Sequence, residues 1–265
     1  MIEKRTAAVV LRARPYGESD KIVTLLTRDW GKVTGIAKGA KRSQRRFVNV
    51  LDSFTHVQLY FRPSRGDDLA FIFRCDLIRN FRAPGQDLRR YAFASYITEL
   101  IDVMIAGREA GTEAYTLLLA GLTTLEEQSV LSTIFLPAFT LLLLSSTGYQ
   151  PNVTECQHCG VFIGANKGAS VFSPSRGGLL CPRCHDHGGM TIHLSDDTVQ
   201  ALTASRTTPP EDFLRIATSL RTARETRAVV TSLLSRHLTR PLKSQAFLEQ
   251  LEAFSDSHVD GPQGE

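Results

Sequence analysis

The stretch KIVTLLTRDWGKVTGIA, residues 21–37, holds two short runs rich in Val, Ile and Thr, separated by Trp30-Gly31. β-Branched side chains fit a pleated surface better than a helix, and the glycine permits a tight break. The stretch therefore predicts two strands, residues 21–26 and 32–37, joined by a turn. Working outward, residues 7–11 form an apolar run before the turn-like Pro15-Tyr16-Gly17-Glu18. Residues 54–61 (FTHVQLYF) alternate in part, and residues 69–78 (LAFIFRCDLI) follow the polar segment 64–68. Five strands in eighty residues, with no long helical pattern among them, suit a small closed barrel such as the OB-fold; an SH3-like barrel fits the same count.

From Arg82 onward the spacing of apolar residues becomes helical. Residues 87–106 predict a helix with Asp87 as N-cap and Gly107 as its stop. Residues 112–125 and 129–144 predict two more, the last either kinked or bounded by Pro137. Further helices are expected at 198–204, 211–220 and 225–238. The expected class is thus α+β and multi-domain: a barrel over 1–80, helical segments over 81–150 and 193–252, and a cysteine-bearing insert over 151–192. A disordered polar tail is expected over 253–265.

The chain has 265 residues, 42% hydrophobic and 22% charged, which excludes a disordered or collagen-like protein. Its longest apolar stretch, residues 130–144, is interrupted by Ser132, Thr133, Pro137 and Thr140 and falls short of the ~20 residues that span a bilayer. No membrane association is expected. The opening MIEKRTAAVVLRARPYG has neither an apolar core nor a small-residue cleavage site, so a cytoplasmic location is expected.

Charge is unevenly placed. Residues 1–80 carry 16 Lys and Arg against 8 Asp and Glu; residues 81–265 carry 15 against 19. Within the basic part, Lys38, Lys41, Arg42, Arg45 and Arg46 crowd into nine residues beside Gly39, Ser43 and Gln44, on a loop leaving the third strand. Such density suits phosphates, because each neutralised phosphate releases counterions. Arg12 and Arg14 extend the candidate patch. Tyr16, Phe47, Tyr60 and Phe61 are candidate stacking aromatics, although core packing is the default role of each. Arg221, Arg224 and Arg227 recur at helical spacing, as on a solvent-facing stripe.

Four of the five cysteines form two knuckles, Cys156-Gln-His-Cys159 and Cys181-Pro-Arg-Cys184. Paired CxxC knuckles with such a spacer are the pattern of a tetrahedral structural zinc site, one ion held by four thiolates. The insert has few large apolar residues, so metal is expected to replace a core there. Four thiolates leave no open position for catalysis. The zinc deaminases need a His-x-Glu that is absent here. His158, His185 and His187 are read as solvent-facing, and Cys75, within a strand pattern, as a small buried hydrophobe. No phosphate-binding GxxxxGK[ST], GxSxG or HExxH motif is present, so no catalytic residue is assigned. A binding protein is expected; an RNA-binding barrel with a zinc ribbon, or a zinc enzyme acting on nucleic acid, are the alternatives.

Residues 17–27 (GESDKIVTLLT), Trp30-Gly31-Lys32 and residues 37–42 (AKGAKR) resemble the start of the bacterial recombination and repair family RecO. So do Leu143-Leu144 through Gly148-Tyr149-Gln150-Pro151, the knuckles with Gly160 and Gly177-Gly178, and residues 237–244 (HLTRPLKS), across residues 1–250 in all. Pro241 is expected to shorten the family's final helix. The resemblance implies an N-terminal OB-fold, a helical bundle and a zinc-finger insert. It further implies binding of single- and double-stranded DNA and annealing of complementary strands. RecR and single-strand-binding protein are the implied partners, in loading RecA.

Overall fold

The computed structural model describes residues 3–64, 69–105, 111–163, 170–185, 189–238 and 240–251, and the backbone of 252–259. The chain packs as two units. One comprises residues 1–126 and 240–265, the other residues 127–239. Each unit draws helices from both of the segments 81–150 and 193–252.

The first unit is built on a closed barrel of β1 (Lys4–Tyr16), β2 (Asp20–Thr27), β3 (Gly31–Ala37), β4 (Thr55–Arg62) and β5 (Ala70–Asn80). Strand order around the barrel is β1-β2-β3-β5-β4, antiparallel throughout except for β3 with β5. That crossed order is a Greek-key closure, which settles the choice of barrel in favour of the OB type. Gly31 takes φ +61° in the β2–β3 turn, as its sequence position requires. Alternation is cleanest in β4, where Val57, Leu59 and Phe61 fill the core beside Ala8, Val10, Val23, Leu25 and Ile72. Cys75 is 3% exposed in that core, and burial pushes its thiol up to about 12, so it is the inert hydrophobe expected.

Helices α1 (Ala83–Gln86), α2 (Leu88–Met104), α3 (Gly111–Glu127) and α8 (Lys243–Val259) complete this unit. Asp87 caps α2 by accepting a hydrogen bond from the Arg90 amide at 2.7 Å. Glu99 of α2 reaches far along the chain: it accepts from the Lys243 and Ser244 amides and from the Ser244 hydroxyl, anchoring the first turn of α8. Pro241 stands before α8 rather than inside it, so it leaves the helix at 17 residues. Helix also continues through Val259, into the segment read from sequence as tail; residues 260–265 lie outside the described residues.

The second unit contains α4 (Phe135–Ser146), α5 (Asp196–Ala204), α6 (Pro210–Phe213), α7 (Leu220–Leu234) and a sheet of β6 (Ser170–Ser173), β7 (Gly178–Leu180) and β8 (Ile192–Leu194). Helix α4 starts six residues later than its apolar pattern suggests, because Pro137 is confined to its first turn, where a missing N–H costs nothing. The helix expected over 211–220 stops at Phe213, and α7 begins earlier than expected, capped by Ser219. Among the described residues no helix is long and apolar enough to cross a membrane.

Glu225 of α7 fixes the start of α5. Its carboxylate accepts from the Ser195 amide and hydroxyl and from the Thr198 hydroxyl at 2.6–2.7 Å, and from Arg221 at 2.7 Å. Burial pushes this carboxyl up, but the donors outweigh it and hold it at about 2, against an ordinary 4.5. A depressed folded-state pKa stabilises above the unfolded value and is lost as pH falls through 4.5 toward 2. Glu225→Gln should therefore cost about 2–3 kcal/mol at neutral pH and little at pH ~2, as read from urea unfolding at the two pH values.

Candidate nucleic-acid interface and metal centre

The basic segment is the connection from β3 to β4, and it is anchored rather than loose. Ala40, Phe47, Val50 and Leu51 are buried in the barrel core, with a 3-10 turn at Ala40–Arg42. Gly39 donates its amide to Asp20 at 2.8 Å, and Lys41 donates its amide to the Ser19 carbonyl and its ammonium to the Gly17 carbonyl. The Gly39 and Ser19 hydrogen bonds, with Lys38 and Lys41 nearby, hold the Asp20 carboxyl below its ordinary range. Arg46 turns back to the Lys38 carbonyl, 3.1 Å away, and lies over the Phe47 ring.

Lys38, Lys41, Arg42, Arg45 and Arg46 are all exposed on this base. Arg42 and Arg45 have no carboxylate partner among the described residues. Arg14 is exposed near the end of β1, whereas Arg12 is held by Asp102 of α2 at 2.8 Å, a carboxylate that also meets Lys32 at 3.3 Å. Sequence reading could not foresee that pairing, since Asp102 lies ninety residues from Arg12. Of the candidate stacking aromatics, Phe47 and Phe61 belong to the core, Tyr16 is 53% exposed and Tyr60 faces outward. Arg221, Arg224 and Arg227 are exposed along α7, with Arg221 engaged by Glu225.

The sulfur atoms of Cys156, Cys159, Cys181 and Cys184 all lie within 4.8 Å of one another, and Cys159 and Cys181 are 3.8 Å apart. A tetrahedron with metal–sulfur bonds of about 2.3 Å has edges of about 3.8 Å, so the spacing fits one thiophilic ion; a disulfide would need about 2.05 Å. Gly160, at φ +72°, lets the first knuckle fold back so that its amide reaches the Cys156 carbonyl. The Cys181 amide donates to the Cys156 sulfur at 3.3 Å. Burial pushes the Cys156 thiol up, but this amide and those of Cys159 and His158 bring it down to about 6. Burial and proton sharing with the other three push Cys184 up to about 12. The amide donors thus favour thiolate at Cys156, whereas bringing all four sulfurs to thiolate at these distances requires a cation between them.

His185 is exposed and donates through Nδ1 to the Pro182 carbonyl. His187 lies outside the described residues. The expectation of a coreless insert is corrected in part. Val153, Val171, Phe172, Leu179, Leu180 and Leu194 are buried in and beside the β6-β7-β8 sheet, whereas the cysteine end, among the described residues, gathers only Leu180 and Ile163 around its sulfurs.

Comparison with known families matches residues 1–81 to the family described as Recombination protein O N terminal, and residues 85–246 to Recombination protein O C terminal. Relatives named DNA repair protein RecO match over almost their full length. That of Symbiobacterium thermophilum is 34% identical over 249 residues, 92% of this chain and 96% of the relative. That of Anaeromyxobacter dehalogenans strain 2CP-C is 35% identical over 251 residues, 93% and 96%. That of a Nocardioides species is 33% identical over 249 residues, 93% and 99%. With an OB-type barrel, an exposed cationic loop and a four-cysteine cluster in the matched segments, the chain belongs to the RecO family of DNA repair proteins.

Proposed function

We propose that this chain is a recombination mediator and not an enzyme. It binds single- and double-stranded DNA, anneals complementary strands and, with RecR, helps load RecA onto strands coated by single-strand-binding protein in the cytoplasm. The observation that carries the reading is the anchored loop with five exposed cations on an OB-type barrel of a DNA repair family. Two strands approaching each other repel through their phosphates. Cations at Lys38, Lys41, Arg42, Arg45 and Arg46, with Arg14 beside them, screen both backbones, and base pairing supplies the driving force and the specificity. Arg12, already paired with Asp102, contributes least.

The cysteine cluster has the donors and the spacing for one zinc ion, held by Cys156, Cys159, Cys181 and Cys184. Bound there, zinc would supply folding free energy and no open position for chemistry. The reading is tested by strand annealing titrated with salt, with and without single-strand-binding protein. Five phosphate contacts at about 0.7 counterions each imply a roughly hundredfold loss of single-strand affinity between about 50 and 200 mM salt, with annealing slowing in step. A protein that leaves annealing at its spontaneous rate in dilute buffer would refute the reading.

A further inference from the structure

OB-type barrels ordinarily receive oligonucleotides on the outer face of strands 2 and 3. In this chain that face is closed along β2. Val23 and Leu25 point into the barrel core, so Ile22, Thr24 and Leu26 point outward, yet they are only 5%, 1% and 0% exposed. Lys32 of β3 is tied to Asp102 of α2.

The outer face of β1, β4 and β5 carries a different set of groups. Arg5, Tyr60 and Arg74 stand opposite one another across the three strands. Both guanidinium groups lie over the Tyr60 ring, at 5.6 and 5.4 Å from its centre, and that of Arg74 also donates two hydrogen bonds to the Asp76 carboxylate. The register shifts between Tyr60 and Phe61, which pair with Arg74 and Ile72, so Phe73 is an extra residue in β5. A bulge of this kind re-aims side chains. It brings the Phe73 ring to 4.9 Å from Phe71 and 5.2 Å from the Arg62 guanidinium. The Nε of Arg62 is buried with no hydrogen-bond acceptor among the described residues. The basic loop ends against the same strand, because the Cys75 amide donates to the Arg46 carbonyl at 3.1 Å.

We propose that a single DNA strand leaves the basic loop at Arg46 and crosses the outer face of β5, β4 and β1, stacking bases on Tyr60 and Phe73. The inference deepens the DNA-binding reading above and rests on it. Aromatic rings accept any base, and base–aromatic stacking outweighs an exposed cation–π contact. Arriving bases therefore displace Arg5 from Tyr60 and Arg62 from Phe73, and the freed guanidinium groups meet the phosphates, while Arg74 stays with Asp76. Stacking needs unpaired bases, so this face distinguishes a single strand from a duplex, whereas the loop meets phosphates in either form.

The test compares an oligothymidine with a duplex of equal length, by fluorescence anisotropy on the full chain. Tyr60→Leu should weaken single-strand binding about tenfold and leave duplex binding within about twofold, while Tyr60→Phe keeps single-strand affinity. Unchanged single-strand binding by Tyr60→Leu, or equal loss for both ligands, would overturn the proposed path while leaving the loop as the DNA site. If the unaltered protein binds neither ligand, the DNA-binding reading itself fails and the path falls with it.

Discussion

Stripping metal from the chain, or replacing Cys156 or Cys181 with Ser, is expected to unfold the cysteine end of the insert while sparing its sheet. Structural zinc contributes on the order of 10 kcal/mol or more to small zinc-dependent folds, comparable with the ~5–15 kcal/mol that holds a typical domain together. The local alternatives are thin. Around the sulfurs, among the described residues, Leu180 and Ile163 supply the apolar packing, and the four thiols cannot all ionise at such distances without a cation. The adjoining sheet is better provided, with Phe172 and Leu179 fully buried. It is also tethered by Arg236, which donates to the carbonyls of Pro174 and Ser175. Hydrogen exchange after chelation should therefore show lost protection at the amides of Cys156, Gly160, Ile163 and Cys184, and retained protection in β6 and β7. Metal release should amount to one equivalent per chain, and solubility should fall more than loop-mediated DNA binding does. Full protection of the knuckle amides in metal-free protein would show that the cysteines need no ion to fold.

The barrel strands were readable because each carries a local signal: alternation in β4, and β-branched runs in β2 and β3. What residues could not show locally is which outward faces are covered. The run at residues 21–26 looks the same whether Ile22, Thr24 and Leu26 meet solvent or protein, and only the folded chain reveals that they are buried. The cysteine site was readable because ligand spacing is itself local chemistry. The basic loop was readable as charge, but its footing was not: Phe47, Val50 and Leu51 sit among polar residues with no periodicity to mark them as core. The carboxylates that order the helices escaped for a related reason. Glu99 acts on Lys243 and Ser244, and Asp102 on Arg12, across separations that no sequence window spans. The bulge at Phe73 is equally silent, since one inserted residue leaves the strand pattern almost unchanged.

Neutralising Lys38, Arg42 and Arg45 together should lower DNA affinity about a hundredfold near 100 mM salt and reduce the salt-dependence slope by about 2, roughly 0.7 for each single-strand phosphate that is no longer neutralised. The three are chosen because they are exposed and make none of the hydrogen bonds through side chains that hold the loop in place. Lys41 and Arg46, by contrast, secure it through the Gly17 and Lys38 carbonyls. Alanine at the three positions thus removes charge without loosening the base formed by Ala40, Phe47, Val50 and Leu51. That footing bears on magnitude as well as on design. Cations on a pre-ordered loop surrender less conformational entropy on binding than the same cations on a free tail, so more of their electrostatic attraction appears as affinity. Annealing should slow more than binding weakens, because bringing two strands together requires screening both backbones at once. The comparison variant, Arg221→Ala/Arg224→Ala/Arg227→Ala on α7, removes the same number of charges at a surface where Arg221 is already paired with Glu225. It should leave the salt slope within about 0.5 of the unaltered protein. Equal slopes for the loop variant and the unaltered chain would mean that these cations do not meet phosphate, and the proposed interface would have to be abandoned.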